Sequence, residues 1–210
     1  MSIEIEAKFV VPDKDAYARV RALERLGRYS LFEARVQDVR DEYLDTPDRA
    51  LLAAGYACRK RALPGAIVMT LKSVIAAPGV VHRREELEVT LPPSAPASIS
   101  PSAWPGSAAR NRALDLAGGK ELQALFHLSQ NRFIRDVADD DRRVAVASLD
   151  EVKLSVGGSS QQWWELELEL AADGTEADLA AMSGWVRAVL GLSPSPASKF
   201  ERALAVLRGP

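Results

Sequence analysis

The chain has one cysteine, Cys58, and two histidines, His82 and His127, among 210 residues. A single cysteine excludes an internal disulfide, and so few thiolates and imidazoles leave no set from which a tetrahedral zinc centre is built. A bound metal is therefore expected to be a hard divalent cation held on carboxylate oxygens. No run approaches the ~20 apolar residues that span a bilayer, and the N-terminus lacks a secretory apolar segment, so a cytoplasmic protein with no membrane association is expected. Charge of one sign is lacking too: 27 basic residues face 29 acidic ones, a formal net charge of −2. That balance gives no overall pull towards nucleic acid, so any electrostatic function must come from charges segregated within the fold.

What is present fits an ordinary soluble domain, with 47% apolar and 27% charged residues. The whole chain, 1–210, is expected to form one domain. A strand opens it at "IEIEAKF", followed by a helix in "PDKDAYARVRALERLG" that Gly27 stops. A strand through "VQDVRDEYLD" leads to a short helix in "TPDRALLAAG", with Thr46 as N-cap and Pro47 at its first position. The stretches "YACRKRA", "AIVMTLKSV" and "HRREELEVTL" read as strands between Gly-containing turns. Residues 92–109, beginning "PPSAPASISPSAWPGS", read as a Pro/Ser/Ala-rich surface loop within the domain, and a helix is expected over "RNRALDLAGGKELQALF". Strands follow in "QNRFIRDVA", "RRVAVASLDEVKLSV" and "WWELELEL", then helices near 175–190 and 197–208. Meander-like strands with helices before, between and after them make the class α+β with an antiparallel sheet.

One feature recurs in strand after strand. Successive residues of a strand face opposite ways, and one parity here is charged almost throughout. It carries Glu4, Glu6 and Lys8; Arg59 and Arg61; Thr70 and Lys72; Arg84, Glu86 and Glu88; and Glu165, Glu167 and Glu169. The other parity is largely apolar: Met69 and Leu71, Leu87 and Val89, Leu166, Leu168 and Leu170. A solvated sheet face is the bland account of any one strand, but solvent faces usually mix in Ser, Thr and Gln. If the sheet closes into a barrel, the apolar parity packs outward against helices and the charged parity lines the interior. Arg and Lys then suit phosphate oxygens, and carboxylates two residues apart tolerate each other when a hard divalent cation sits between them.

These segments resemble the CYTH-domain proteins, the triphosphate tunnel metalloenzymes. Glu4-Ile5-Glu6-Ala7-Lys8 is similar to the family's opening ExExK, and "YLDTPDRALLAAGYACRKR" to its Tyr-x-Asp-Thr-Pro segment and Arg-x-Arg strand. "MTLKS", "RREELE", "NRFIRDV", "VASLDEV", "ELELEL" and "SKFERAL" follow in the family's order, across almost the whole chain. The layout is most like the bacterial inorganic triphosphatases. Many of those carry a C-terminal helical CHAD domain, and none is expected here.

The resemblance implies an eight-stranded antiparallel β-barrel forming a tunnel, with helices packed outside. It implies hydrolysis of inorganic triphosphate to pyrophosphate and phosphate, with Mg²⁺ or Mn²⁺ as cofactor and a small-molecule triphosphate as partner. On this reading Lys8, Arg59, Arg61, Lys72, Arg84, Arg132 and Lys199 bind the phosphate chain. Metal coordination falls to Glu4, Glu6, Glu86, Glu88, Asp150, Glu165 and Glu167, and the residues expected to be catalytic are Glu4, Glu6, Lys8 and Glu167. The same lumen would serve a class IV adenylyl cyclase, a thiamine triphosphatase with Trp163 or Trp164 as a ring clamp, or a non-catalytic polyphosphate-binding module.

Other residues are read as structural. Cys58 is expected to be buried, Lys60, Arg83 and Arg135 to face outward, and His82 and His127 to have no catalytic duty. Tyr43 and Asp45 are read as a strand end and turn, and Glu169 as lying past the tunnel mouth. A homodimer is compatible with apolar exterior helices, although no particular residue argues for one.

Overall fold

The computed structural model describes residues 2–74, 81–92, 100–156, 159–195 and 197–208. In chain order the elements are β1 (Ser2–Val11), α1 (Lys14–Arg21), β2 (Arg25–Leu26), β3 (Tyr29–Asp45), α2 (Ala50–Ala53), β4 (Tyr56–Leu63), β5 (Ala66–Ser73) and β6 (Val81–Leu91). Then come a short 3₁₀ turn (Pro101–Ala103), α3 (Ala108–Ala117), β7 (Gln123–Asp139), β8 (Arg142–Val156), β9 (Ser159–Leu170), α4 (Glu176–Leu190), β10 (Ser193–Pro194) and α5 (Lys199–Arg208).

The strands run β1-β6-β5-β4-β3-β7-β8-β9, each antiparallel to its neighbours, and β9 returns to β1. Eight strands thus close into a barrel, and a closed barrel has no unpaired edge. Closure depends on β1 being shared along its length. Residues from Ser2 to Ala7 pair with β6, opposite Glu86 to Val81, and residues from Glu6 to Val11 pair with β9, opposite Glu169 to Trp164.

Alternation then sorts the side chains. The apolar parity of β1, β8 and β9 packs outward beneath α1 and α4, where Ala7, Phe9, Leu149, Leu166 and Leu168 meet Val20, Leu179, Met182 and Val186. On the opposite wall Cys58, Met69, Leu71, Leu87, Val89 and Leu91 pack against Leu51 of α2 and the Ala109, Ala113 and Ala117 stripe of α3. A third cluster lies inside one end of the barrel. There α5 inserts Phe200, Ala203 and Leu204 among Phe126, Leu128, Val152, Leu154 and Trp163. That end is stoppered by apolar packing, so the charged lumen is a blind tunnel.

The sequence reading and the structure part company at element boundaries. The first helix stops at Arg21 with Ala22 as its C-cap, and Gly27, instead of ending it, turns the small β2–β3 hairpin at φ 65°. The helix expected to run through "ELQALF" ends at Ala117, since Gly118 and Gly119 both take positive φ, 58° and 79°; the rest of that run becomes the start of β7. Pro47 lies in a turn ahead of α2 rather than at its first position, and Arg49 takes the N-cap position at φ 62° with no side-chain bond, while the Thr46 hydroxyl accepts from the Ala50 N–H at 2.8 Å. Asp45 organises this turn, accepting hydrogen bonds from the backbone N–H groups of Thr46, Leu51 and Leu52. Of the 92–109 segment, 93–99 lie outside the described residues; beyond them Pro101 and Trp104 are buried against the α3 side of the barrel.

Helix α4 is tied to the barrel by Asp178. This carboxylate completes a capping box with Thr175, accepts from Tyr29 Oη at 3.0 Å, and pairs with Arg142 at 2.8 Å. Hydrogen bonds from Arg142, then from Thr175 and Tyr29, hold it well below the ordinary carboxylate range. Its stabilisation is therefore complete above about pH 4, the unfolded value, and is lost as pH falls further through the depressed folded value. Asp178→Ala should cost on the order of 2–3 kcal/mol, a fall in Tm of about 5–10 °C for a chain of this size. Its acid-induced loss of stability below about pH 4 should be shallower than that of the unsubstituted protein; calorimetry over that range checks both.

Candidate active site

The lumen holds a cavity of about 200 Å³ lined by seven carboxylates (Glu4, Glu6, Asp41, Glu86, Glu88, Glu167, Glu169) and seven cations (Lys8, Arg59, Arg61, Lys72, Arg84, Arg132, Lys199). The signs are not mixed evenly. Strand β4 contributes only Arg59 and Arg61, and β7 contributes Arg132 beside Gln130, whereas β1, β6 and β9 contribute six of the seven carboxylates. A basic wall thus faces an acidic one, the latter also carrying Lys8 and Arg84.

The buried centre is a linked set of ion pairs. Lys199, brought in by the first turn of α5, places Nζ 2.9 Å from Asp150 Oδ2, 2.9 Å from Glu167 Oε1 and against Glu165. Arg132 donates through Nε to Asp150 at 2.8 Å and through Nη2 to Glu167 at 2.6 Å. Lys8 lies 2.7 Å from Glu167 Oε1 and 3.2 Å from Glu6 Oε1. Burial disfavours the charged form of each group, and the opposite charges overcome it. Burial pulls Lys199 down, but Asp150, Glu165 and Glu167 raise it well above its ordinary value. Burial likewise pushes Glu167 up, while Lys199, Lys8 and Arg132 hold it well below the carboxylate range.

On the basic wall Arg61 forms a two-pronged pair with Asp41, 2.7 Å at each contact, and Gln130 Nε2 donates to the same carboxylate at 2.8 Å. Arg59 is held less firmly. It reaches Thr70 Oγ1 at 3.2 Å and stands 3.7 and 3.9 Å from Glu86 and Glu88. Arg84, which stands on β6 among the acidic strands, is 4% exposed and lies 3.7 Å from Glu201, which in turn caps α5 through Ser198.

The acidic wall has fewer cations of its own. Lys72 contacts Glu4 and stands 3.7 Å from Glu6. Burial, then Glu4, pushes Glu86 up, and burial with Glu4, Glu6 and Glu167 pushes Glu169 up to about 7. Glu4 Oε2 and Glu6 Oε1 are buried oxygens whose partners among the described residues are the ammonium groups of Lys72 and Lys8. Carboxylates crowded enough to push Glu86 and Glu169 up, with Glu4 and Glu6 balanced only by lysine ammoniums, fit a hard divalent cation. A second acidic set, Asp150, Glu165 and Glu167, has oxygens within 4.8 Å of one another, a spacing that could hold a metal. Lys199 Nζ already contacts all three, so an ion there would have to displace the ammonium.

Twelve of the fourteen charged residues singled out in the sequence line the cavity; Asp150 and Glu165 sit behind it as partners of Lys199. Glu169, expected past the mouth, lines it as well. Sequence reasoning missed Asp41, Gln130 and Ser198. The first two share the inward parity of Tyr43 and Arg132, which is the signal that would have found them. Tyr43 borders the cavity, but its ring packs on Phe126 and Phe200 at 4.9 and 5.2 Å. Trp163 is buried with Nε1 donating to Glu165 at 2.9 Å, and Trp164 packs in the outer core, so neither ring faces the cavity. Lys60, Arg83 and Arg135 lie outside the barrel, engaged with Glu42, Glu176 and backbone carbonyls of Leu23, Leu31 and Phe32.

The sequence matches the CYTH domain family over residues 2–204. The chain belongs to the CYTH domain family. Among solved structures it is similar to HpAC1 of Hippeastrum, designated an adenylyl cyclase and described as revealing a dominant triphosphatase activity, with TM-score 0.67 and 22% identity over 96% of this chain and 95% of that one. It is equally similar, TM-score 0.67 and 21% identity over 98% and 100% of the two chains, to a Bacillus halodurans protein designated an adenylate cyclase. The mimivirus capping enzyme triphosphatase shares the fold at TM-score 0.53 and 12% identity over 91% and 90%. For this CYTH chain these likenesses establish the tunnel fold.

Lys199→Met should leave three buried carboxylates with one cation fewer, a loss of about 3–5 kcal/mol. The sign of the pH response identifies the cause. Lys199 is the first of the cations that hold Glu167 below its usual range, so without it the variant should lose less stability than the unsubstituted protein as pH falls from 7 to 4. Denaturant titration at the two pH values reads this directly.

Proposed function

We propose that this CYTH protein is a metal-dependent triphosphatase acting on inorganic triphosphate, releasing phosphate and pyrophosphate. The observation that carries this reading is the lumen itself, a narrow blind cavity with a basic wall opposite an acidic one. An elongated polyanion is matched by the first wall and its counter-cation by the second. Mg²⁺ or Mn²⁺ would be held by Glu4, Glu6, Glu86 and Glu88, with Glu169 added to that set. When bound, it would supply positive charge against the negative charge developing on the phosphate oxygens. Asp150, Glu165 and Glu167 are better assigned to seating Lys199, Arg132 and Lys8, since those cations already neutralise them.

The chain's own residues account for binding and orientation. Arg59, with its long contacts, is free to turn onto a phosphate, while Arg61 commits Nε and Nη2 to Asp41 and leaves the N–H groups of Nη1 to offer. Lys72, Arg84, Lys8, Arg132 and Lys199 complete a positive cradle held rigidly by buried partners. In phosphoryl transfer, positioning and charge neutralisation supply most of the rate enhancement, and a preorganised cradle provides both. The size of the cavity and the absence of a free aromatic face among its described lining residues favour an inorganic chain over adenine or thiamine rings.

Tripolyphosphate with Mg²⁺ or Mn²⁺ should release phosphate, and a chelator should stop it. Glu4→Gln should lower kcat by about 100-fold or more with the fold intact. Arg59→Ala should chiefly raise KM, by about 10-fold, equivalent to about 1.4 kcal/mol of binding. Cyclic AMP formation from ATP, with tripolyphosphate untouched, would move the assignment to a cyclase.

A further inference from the structure

Strand β5 is the border between the two walls of the lumen, pairing with the basic β4 on one edge and the acidic β6 on the other. The residues it turns into the cavity are Thr70 and Lys72. Lys72 stands opposite Ala57 of β4 and Glu86 of β6, so at that level a cation answers the acidic wall. One level along, Thr70 stands opposite Arg59 on one side and Glu88 on the other. Here the walls meet as guanidinium and carboxylate, and the side chain between them is short and neutral. Thr70 is 1% exposed, and its hydroxyl lies 2.8 Å from Glu88 Oε1 and 3.2 Å from Arg59 Nη2. An ionised carboxylate only accepts and a guanidinium only donates. Thr70 Oγ1 therefore gives its proton to Glu88 and accepts from Arg59.

We propose that Thr70 is a positioning residue, a spacer that keeps Arg59 and Glu88 apart and so keeps both open to ligand. Arg59 Nη2 stands 3.7 Å from Glu86 Oε1 and 3.9 Å from Glu88 Oε1, beyond hydrogen-bond distance of each. Arg61, two residues along the same strand, shows the alternative. It faces Asp41 on the adjacent strand with nothing between them, and closes on it with two contacts of 2.7 Å. If the Thr70 hydroxyl were removed, Arg59 and Glu88 would each lose a partner, and the nearest replacement for either is the other. Charge-assisted pairs of this kind are short and strong, and a guanidinium so engaged has fewer N–H groups to give a phosphate. The consequence for ligand rests on the function proposed for the lumen, with Arg59 on the phosphate chain and Glu88 on the metal. The spacing itself is a property of the free protein.

Thr70→Val removes the hydroxyl and keeps the branched shape, whereas Thr70→Ser keeps the hydroxyl. In NMR spectra of the free protein, the Arg59 side-chain N–H signals, identified by their loss in Arg59→Lys, should shift in Thr70→Val and return in Thr70→Ser. Calorimetry with tripolyphosphate and a chelator, so that no metal contributes, should show binding about 10-fold weaker for Thr70→Val and close to the unsubstituted value for Thr70→Ser. Arg59→Ala should cost about 10-fold in the unsubstituted chain but less than about twofold in Thr70→Val, where the arginine is already withdrawn. A merely structural loss would instead add to that of Arg59→Ala. Unchanged Arg59 signals, a Thr70→Val chain that binds like the unsubstituted one, or additive losses overturn the spacer. An unsubstituted chain that neither binds nor hydrolyses tripolyphosphate with Mg²⁺ overturns the function proposed for the lumen, and the Arg59 signals then decide the spacer by themselves.

Discussion

A single ammonium group, that of Lys199, sits where three buried carboxylates meet, and the lumen depends on it. Asp150, Glu165 and Glu167 come from β8 and β9, and the lysine comes from the last helix. None of these charges could be buried alone, since an uncompensated ion in a dry interior costs several kcal/mol. They become tolerable only when β9 has paired with β1, which supplies Lys8, and when α5 has entered the end of the barrel. Barrel closure, the plug and the charge network are therefore one event seen at three scales. Phe200, the residue after the lysine, is packed among Phe126 and Tyr43, so the apolar stopper sets the depth at which the ammonium is held.

The same network explains why the two walls of the tunnel differ. Near the plug, cations and carboxylates are matched by short contacts, and the pairs hold each other charged. Towards the mouth the carboxylates of β1, β6 and β9 outnumber the cations near them, and Glu86 and Glu169 respond by resisting ionisation. A lumen rigid at its base and electrostatically incomplete at its acidic wall is matched to a cation and a polyanion arriving together. This is the sense in which the arrangement supports metal-dependent triphosphate chemistry more strongly than simple anion binding, for which the basic wall alone would serve.

Much of this was legible in the chain because strand alternation is a local property. Glu4, Glu6 and Lys8 share a face for the same reason that Glu165, Glu167 and Glu169 do, and no tertiary knowledge is needed to see it. Closure is different. That Ala7 pairs with Leu168 and also with Val81 depends on the staggered register of a whole barrel, which no strand encodes by itself. Gln130 and Asp41 escaped notice because an amide and an isolated acid within long strands look like surface residues until their register is known. The boundary between α3 and β7 was misread for a local reason. The run "ELQALF" has helical composition, and two consecutive glycines in the left-handed region decide against it.

Alternation also couples the inside of the barrel to its outside. Residues 4, 6 and 8 of β1 and 165, 167 and 169 of β9 face the lumen, while their neighbours Ala7, Phe9, Leu166 and Leu168 hold Leu179, Met182 and Val186 of α4. Helix α4 is thus bolted to the back of the acidic wall. Packing of α4 on these two strands therefore restrains the carboxylates on which the metal is proposed to sit. Preorganised charges lose less on binding their partners than mobile ones. On this argument the outer packing of α4 and the lumen act on the same two strands.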